Sequence, residues 1–162
     1  MSERRADHSS GWCSLRLRFS ERELVLLRAA EEVHGAALAH QARPEVLRKA
    51  LALAKAARKL ARAAPETSVS LEEGELRLLL EALRHTTEEV RGVSDQSHPV
   101  EAAQAGPGAR AGARTAAERR DQVLSAFPEL VERGLWRSFG VCRELEALAE
   151  RIEQALKELR TG

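Results

Sequence analysis

The chain has 162 residues, enough to bury an independent core, and its apolar share of 43% contains only 3% aromatic residues and no Tyr, so that core must be built from Leu, Ala and Val, which favours helices. Basic and acidic residues nearly cancel, 26 against 25, leaving a net charge of +1 that excludes a global field drawing the chain to nucleic acid or membrane; only local clusters can do so. Two lone thiols, Cys13 and Cys142, exclude a disulfide framework and have no partners at zinc spacing, while no stretch approaches the roughly 18 apolar residues of a membrane span, so the expected location is the cytoplasm, without membrane contact.

Residues 1–11 are charged, serine-containing and without a secretion core, and read as a disordered arm. Ordered structure is expected from residue 12 to residue 91. Leu15, Leu17 and Phe19 alternate with Arg16 and Arg18, the period of a strand with one buried face. The period then becomes helical at Leu24, Leu27 and Ala30, and Ser20-x-x-Glu23 has the form of a capping box, with Phe19 and Leu24 at the staple positions. This helix is expected to reach His34 and either to end at Gly35 or to continue to His40. A second helix opens near Pro44 and runs to about Ala63, with Val46, Leu47, Ala50, Ala54, Ala57 and Ala61 as a narrow face of small residues; Pro65 stops it.

Val69 and Leu71 alternate with Ser68 and Ser70 as a second short strand, Ser70-x-x-Glu73 offers another capping box, and a helix is expected from Leu71 to Val90. Residues 92–114, rich in Ser, Gln, Pro, Gly and Ala, cannot bury enough apolar surface to offset chain entropy and read as a flexible linker. In the remainder, 115–162, a helix starts near Thr115 and yields at Pro128 to a short helix holding Leu130, Val131, Leu135 and Trp136. The final helix begins near Ser138, and its Val141, Leu145, Leu148, Ile152, Ala155 and Leu159 form an amphipathic seam that should pack on the domain or on a second subunit.

The strand-to-helix switch occurs twice at an offset of 52 residues. Under that shift Leu17 falls on Val69, Phe19 on Leu71, Glu23 on Glu75, Leu24 on Leu76, Leu27 on Leu79 and Ala30 on Ala82. Pro44-Glu45 and Pro128-Glu129 match at a larger offset of 84, the additional 32 residues being the linker. The pattern predicts an internal β-α-α duplication and a mainly α fold with two short strands, which should pair with each other because each alone leaves its backbone groups unmatched.

Glu31-x-x-His34 has the spacing of a carboxylate-bridged metal site in a bundle, but Glu81 and His85 lie one residue further apart and the remaining carboxylates are missing. No serine, cysteine or threonine has an identifiable base, and no glycine-rich turn follows a strand. The expectation is therefore no catalytic residue, no cofactor and no metal. The most informative charge cluster is Arg48, Lys55, Lys59 and Arg62 on one side of the second helix, with Arg58 at its edge and Glu72, Glu73, Glu75, Glu81, Glu88 and Glu89 as a possible internal counterpart.

A strand carrying Arg16 and Arg18, then a helix, then a helix reading Pro44-Glu-Val-Leu-Arg-Lys-Ala-Leu51 resembles the ribbon-helix-helix family of DNA-binding regulators over residues 15 to 63. The resemblance implies that the outward side chains of a paired ribbon, here Arg16 and Arg18, enter the major groove. The second copy departs from it by carrying Ser68 and Ser70 at those positions. The expected function is a non-enzymatic protein-protein interaction or regulatory module, through a protein partner or self-association. The alternative is a DNA-binding regulator, and the candidate contact residues are Arg16, Arg18, Arg48, Lys55, Lys59 and Arg62.

Overall fold

Two strands form an antiparallel ribbon: β1 (Ser14–Arg18) pairs with β2 (Ser68–Glu72), with Leu17 opposite Val69 and Leu15 opposite Leu71. The computed structural model describes residues 13–95 and 114–161, so the expected arm at 1–11 and residues 96–113 of the expected linker lie outside the described residues. Alternation puts Leu15, Leu17, Val69 and Leu71 toward the helices, while Arg16 faces outward opposite Ser70 and Arg18 opposite Ser68. A two-stranded ribbon needs a supporting layer, and the helices supply it on one face. Segments 14–18 and 68–72 are accordingly expected to exchange their amide hydrogens slowly. Rapid exchange at both, with the helices still protected, would contradict the pairing.

Helix α1 (Glu21–Ala39) begins with the predicted box: Ser20 Oγ accepts from Glu23 N–H at 3.2 Å and the Glu23 carboxylate accepts from Ser20 N–H at 2.8 Å. Phe19 and Leu24 are buried together beside it. The helix continues through Gly35, whose missing side chain would meet nothing, so this glycine neither ends a turn nor opens a close approach. Helix α2 (Pro44–Arg62) starts on its proline as expected. Its buried face is Leu53, Ala56 and Leu60, however; of the predicted stripe Val46 and Ala50 are half-buried against the core, whereas Leu47 is 45% exposed and Ala54 and Ala61 face solvent. The buried side is set by the helices that α2 meets, α1 and the helix that follows β2, and not by side-chain size, since Leu51 is exposed and Ala56 is fully buried.

Helix α3 (Glu73–Asp95) departs from expectation at both ends. The ribbon takes Leu71, fully buried, and runs on to Glu72, so the Ser70-x-x-Glu73 box does not form. Instead Glu75 reaches back to accept the Glu72 N–H at 2.9 Å. That is the role of Glu23, at the offset of 52. At the other end the helix passes Gly92 because Val93 is buried in the core, which moves the first four residues of the expected linker into the helix.

Helix α4 (Ala116–Ala126) opens on a Thr115–Glu118 capping box, and α5 (Pro128–Glu132) opens on Pro128. The short helix expected to hold Leu130, Val131, Leu135 and Trp136 is divided. Gly134, at φ 94°, separates α5 from a 3-10 turn at Leu135–Arg137, and Val131 and Trp136 are 65% and 68% exposed while Leu130 is buried. Helix α6 (Ser138–Thr161) buries Val141, Leu145, Leu148, Ile152 and Ala155, and it lies against α3 of the same chain.

The core is layered as α2 on α1, α1 on α3 and α3 on α6, with the ribbon across one side. Although Pro128 matches Pro44 in the sequence, it is α6 and not α5 that covers α3 as α2 covers α1. At an offset of 92, Leu53, Ala56 and Leu60 correspond to Leu145, Leu148 and Ile152, and all are buried. Two cross-links follow the same correspondence. Lys59 Nζ on α2 donates to Glu75 at 2.7 Å and to the Ser70 carbonyl at 3.5 Å. Arg151 on α6 donates to Glu23 at 2.5 Å and to the Arg18 carbonyl. Lys59 thus ties α2 to the β2–α3 corner, and Arg151 ties α6 to the β1–α1 corner. No helix among the described residues is long and apolar enough to cross a membrane.

Candidate functional site

The outer face of the ribbon continues into a groove on α2. Arg16, Arg18, Ser68 and Ser70 are exposed on one side of the two strands, and Arg18 Nε donates to Ser68 Oγ at 3.4 Å. Ser68 and Ser70 also form one wall of a cavity of about 580 Å³ whose opposite wall is Lys55, Arg58, Lys59 and Arg62. Helical spacing explains why these four share a wall, since residues three and four apart lie above one another on one side of a helix. No carboxylate lines the cavity.

Internal pairing uses little of this charge. Lys59 alone is turned inward, onto Glu75, whereas Lys55, Arg58 and Arg62 form no ion pair among the described residues. The carbonyls at the C-terminal end of α2 already have a donor: Arg28 reaches across from α1 to Leu60 O at 3.2 Å and Ala61 O at 3.5 Å. Of the acidic residues on α3, Glu81 is taken by Lys49, which lies off the stripe, at 2.9 Å. Apart from Lys59, the basic wall therefore forms no ion pair with α3 and donates no hydrogen bond to the last carbonyls of α2 among the described residues.

Among the residues expected from the sequence to make contact, Arg16, Arg18, Lys55, Lys59 and Arg62 belong to this continuous surface. Arg48 does not; it stands about 10 Å along α2 from Lys55, two helical turns toward the N-terminus. Arg58, which the spacing put at the margin, is part of the wall, and Thr67, Ser68 and Ser70 complete the opposite one. The serines were legible as outward strand positions, but nothing in the sequence put them against α2.

A second cluster joins residues that the sequence kept apart. The rings of His34 on α1 and His85 on α3 have centroids 4.8 Å apart, with Glu81 3.4 Å from His34 and Glu89 3.7 Å from His85. Both imidazoles are held below the ordinary histidine range, chiefly by burial; His34 is lowered further by the neighbouring His85. Glu31, on the same helix as His34, is 8% exposed and has no hydrogen bond at Oε1; burial pushes its carboxyl up to about 8. Among the described residues, no group of three or more His, Cys, Asp or Glu is placed to hold a metal ion. Cys142 is buried, with its thiol pushed up by burial, and Cys13 is exposed.

Comparison with protein-family models, with curated proteins and with solved structures finds no match to this chain.

Proposed function

We propose that the protein is a non-enzymatic interaction or regulatory module whose contact surface is the outer face of the ribbon together with the basic side of α2. The observation that carries this reading is a set of cations, Lys55, Arg58 and Arg62 around one concavity and Arg16 beside it on β1 opposite Ser70, all exposed and without ion pairs among the described residues. A surface of that sign suits an anionic partner. We read the chain as an internal β-α-α duplication, supported by the offset-matched pairs Leu17 with Val69, Glu23 with Glu75 and Lys59 with Arg151. In this reading the two copies do within one chain what two subunits would do in a symmetric dimer.

The antiparallel ribbon favours one specific partner, duplex DNA, since it is the paired element on which the ribbon-helix-helix resemblance depends. Titration of the protein against duplex DNA of random sequence at low salt tests this. Binding that weakens steeply as salt rises is the expected result for a DNA regulator, and Arg16→Ala with Arg18→Ala should weaken it and reduce the salt slope by about 2. Absence of binding at low salt would eliminate DNA and leave an acidic protein surface as the partner of the module.

A further inference from the structure

The two halves provide an internal control for the basic wall. Lys59 holds the Glu75 corner, and its counterpart at the offset of 92, Arg151, holds the Glu23 corner, so a cation at this position has a structural task in both halves. Lys55, Arg58 and Arg62 have Ala147, Glu150 and Gln154 as counterparts. The matching positions on α6 thus carry none of those three positive charges. The three form no ion pair among the described residues, and they stand around the cavity that Thr67, Ser68 and Ser70 close with hydroxyl groups.

We propose that the groove between α2 and β2 is a binding site for a run of phosphate groups, supplied by a nucleic-acid backbone. The lining fits that chemistry: guanidinium and ammonium donors face the hydroxyls of Ser68 and Ser70, Thr67 already donating to the Ala64 carbonyl at 2.6 Å, while no carboxylate repels an anion and no aromatic ring offers a base a stacking platform. Contacts of this kind position a duplex without reading its sequence. Lys55 to Arg62 spans about 10 Å along the helix, so successive phosphates of one strand can be held. Arg16 and Arg18 stand directly across the ribbon from Ser70 and Ser68, which extends the cationic path from the groove onto the ribbon. The inference deepens the reading of this face as a contact surface and depends on the ribbon only for the direction the bound chain takes.

The test uses the full chain, two probes and three variants. Inorganic tripolyphosphate reports the phosphate chemistry through a thermal shift, and short duplex DNA of random sequence reports the source. The triple variant Lys55→Ala, Arg58→Ala, Arg62→Ala is expected to lose the tripolyphosphate shift. It should bind duplex at least about tenfold more weakly at low salt, with a salt slope smaller by about 2 to 3. Arg16→Ala with Arg18→Ala should keep the tripolyphosphate shift. The same loss of charge placed elsewhere, Arg48→Ala, Arg133→Ala and Arg143→Ala, should also keep it, which separates a site from a general charge effect. Tripolyphosphate binding without duplex binding would uphold the phosphate site and overturn nucleic acid as its source. Equal loss in the charge-matched control, or no response of the wild type to either probe, would overturn the site itself.

Discussion

Ile152→Ala is expected to lower the unfolding free energy by about 2 to 5 kcal/mol, because it empties a fully buried position between α6 and α3 and leaves a cavity that the neighbouring leucines fill only in part. Leu60→Ala, the counterpart at the offset of 92, should cost a similar amount between α2 and the core. Leu159, half-buried near the end of the same seam, supplies the contrast: Leu159→Ala should cost less than either. Urea titration followed by far-ultraviolet circular dichroism measures all three. Since the seam packs within the chain, the change is expected in stability and not in molecular mass. An unchanged urea midpoint for Ile152→Ala would refute the packing of α6 described above.

Glu31 makes the stability of the protein fall as pH rises. Its carboxyl is pushed up to about 8 in the folded chain by burial, against an ordinary value of 4.5. Below pH 4.5 it is protonated in both states and has no effect. Between about 4.5 and 8 the unfolded chain ionises and the folded chain does not, so unfolding gains free energy with every step of pH. The loss is on the order of 3 kcal/mol at neutral pH and approaches about 5 kcal/mol above pH 8. Glu31→Gln removes the titration, and Glu31→Leu also replaces the unsatisfied oxygen with the side chain found at the matched position, Leu83, which is fully buried. Both should stabilise the protein at pH 8 by a few kcal/mol and do little at pH 4. His34 and His85 act in the opposite direction: their depressed values make stability fall as pH drops below 6.5. The difference between wild type and variant across pH therefore isolates Glu31. A difference that does not grow between pH 5 and 8 would show that this carboxyl is not shifted as described.

Local rules were sufficient for much of the chain. The first capping box, the helix starts at Pro44, Thr115 and Ser138, the alternation that exposes Arg16 and Arg18, and the seam of α6 all depend on neighbours a few residues away, and all are present. The candidate site was legible in part for the same reason: helical spacing grouped Lys55, Lys59 and Arg62, and strand spacing turned Ser68 and Ser70 outward. Errors arose wherever a long-range contact outweighed a local signal. Leu71 was needed opposite Leu15, so β2 ran past the Ser70-x-x-Glu73 signal, and burial of Val93 carried α3 through Gly92.

Three features were decided by the tertiary structure alone. Leu53, Ala56 and Leu60 form the core face of α2 and leave Leu47, Ala54 and Ala61 of the expected stripe outside, because which side of an amphipathic helix is buried depends on the helices it meets. Arg28 capped α2 from another helix and Lys59 turned to Glu75, which left Lys55, Arg58 and Arg62 without ion pairs among the described residues. Periodicity records which residues share a side of one element. Whether a charge on that side meets a partner is settled by elements distant in sequence, and the packing of the whole chain brought His34 to His85 and the serines of β2 to the cations of α2.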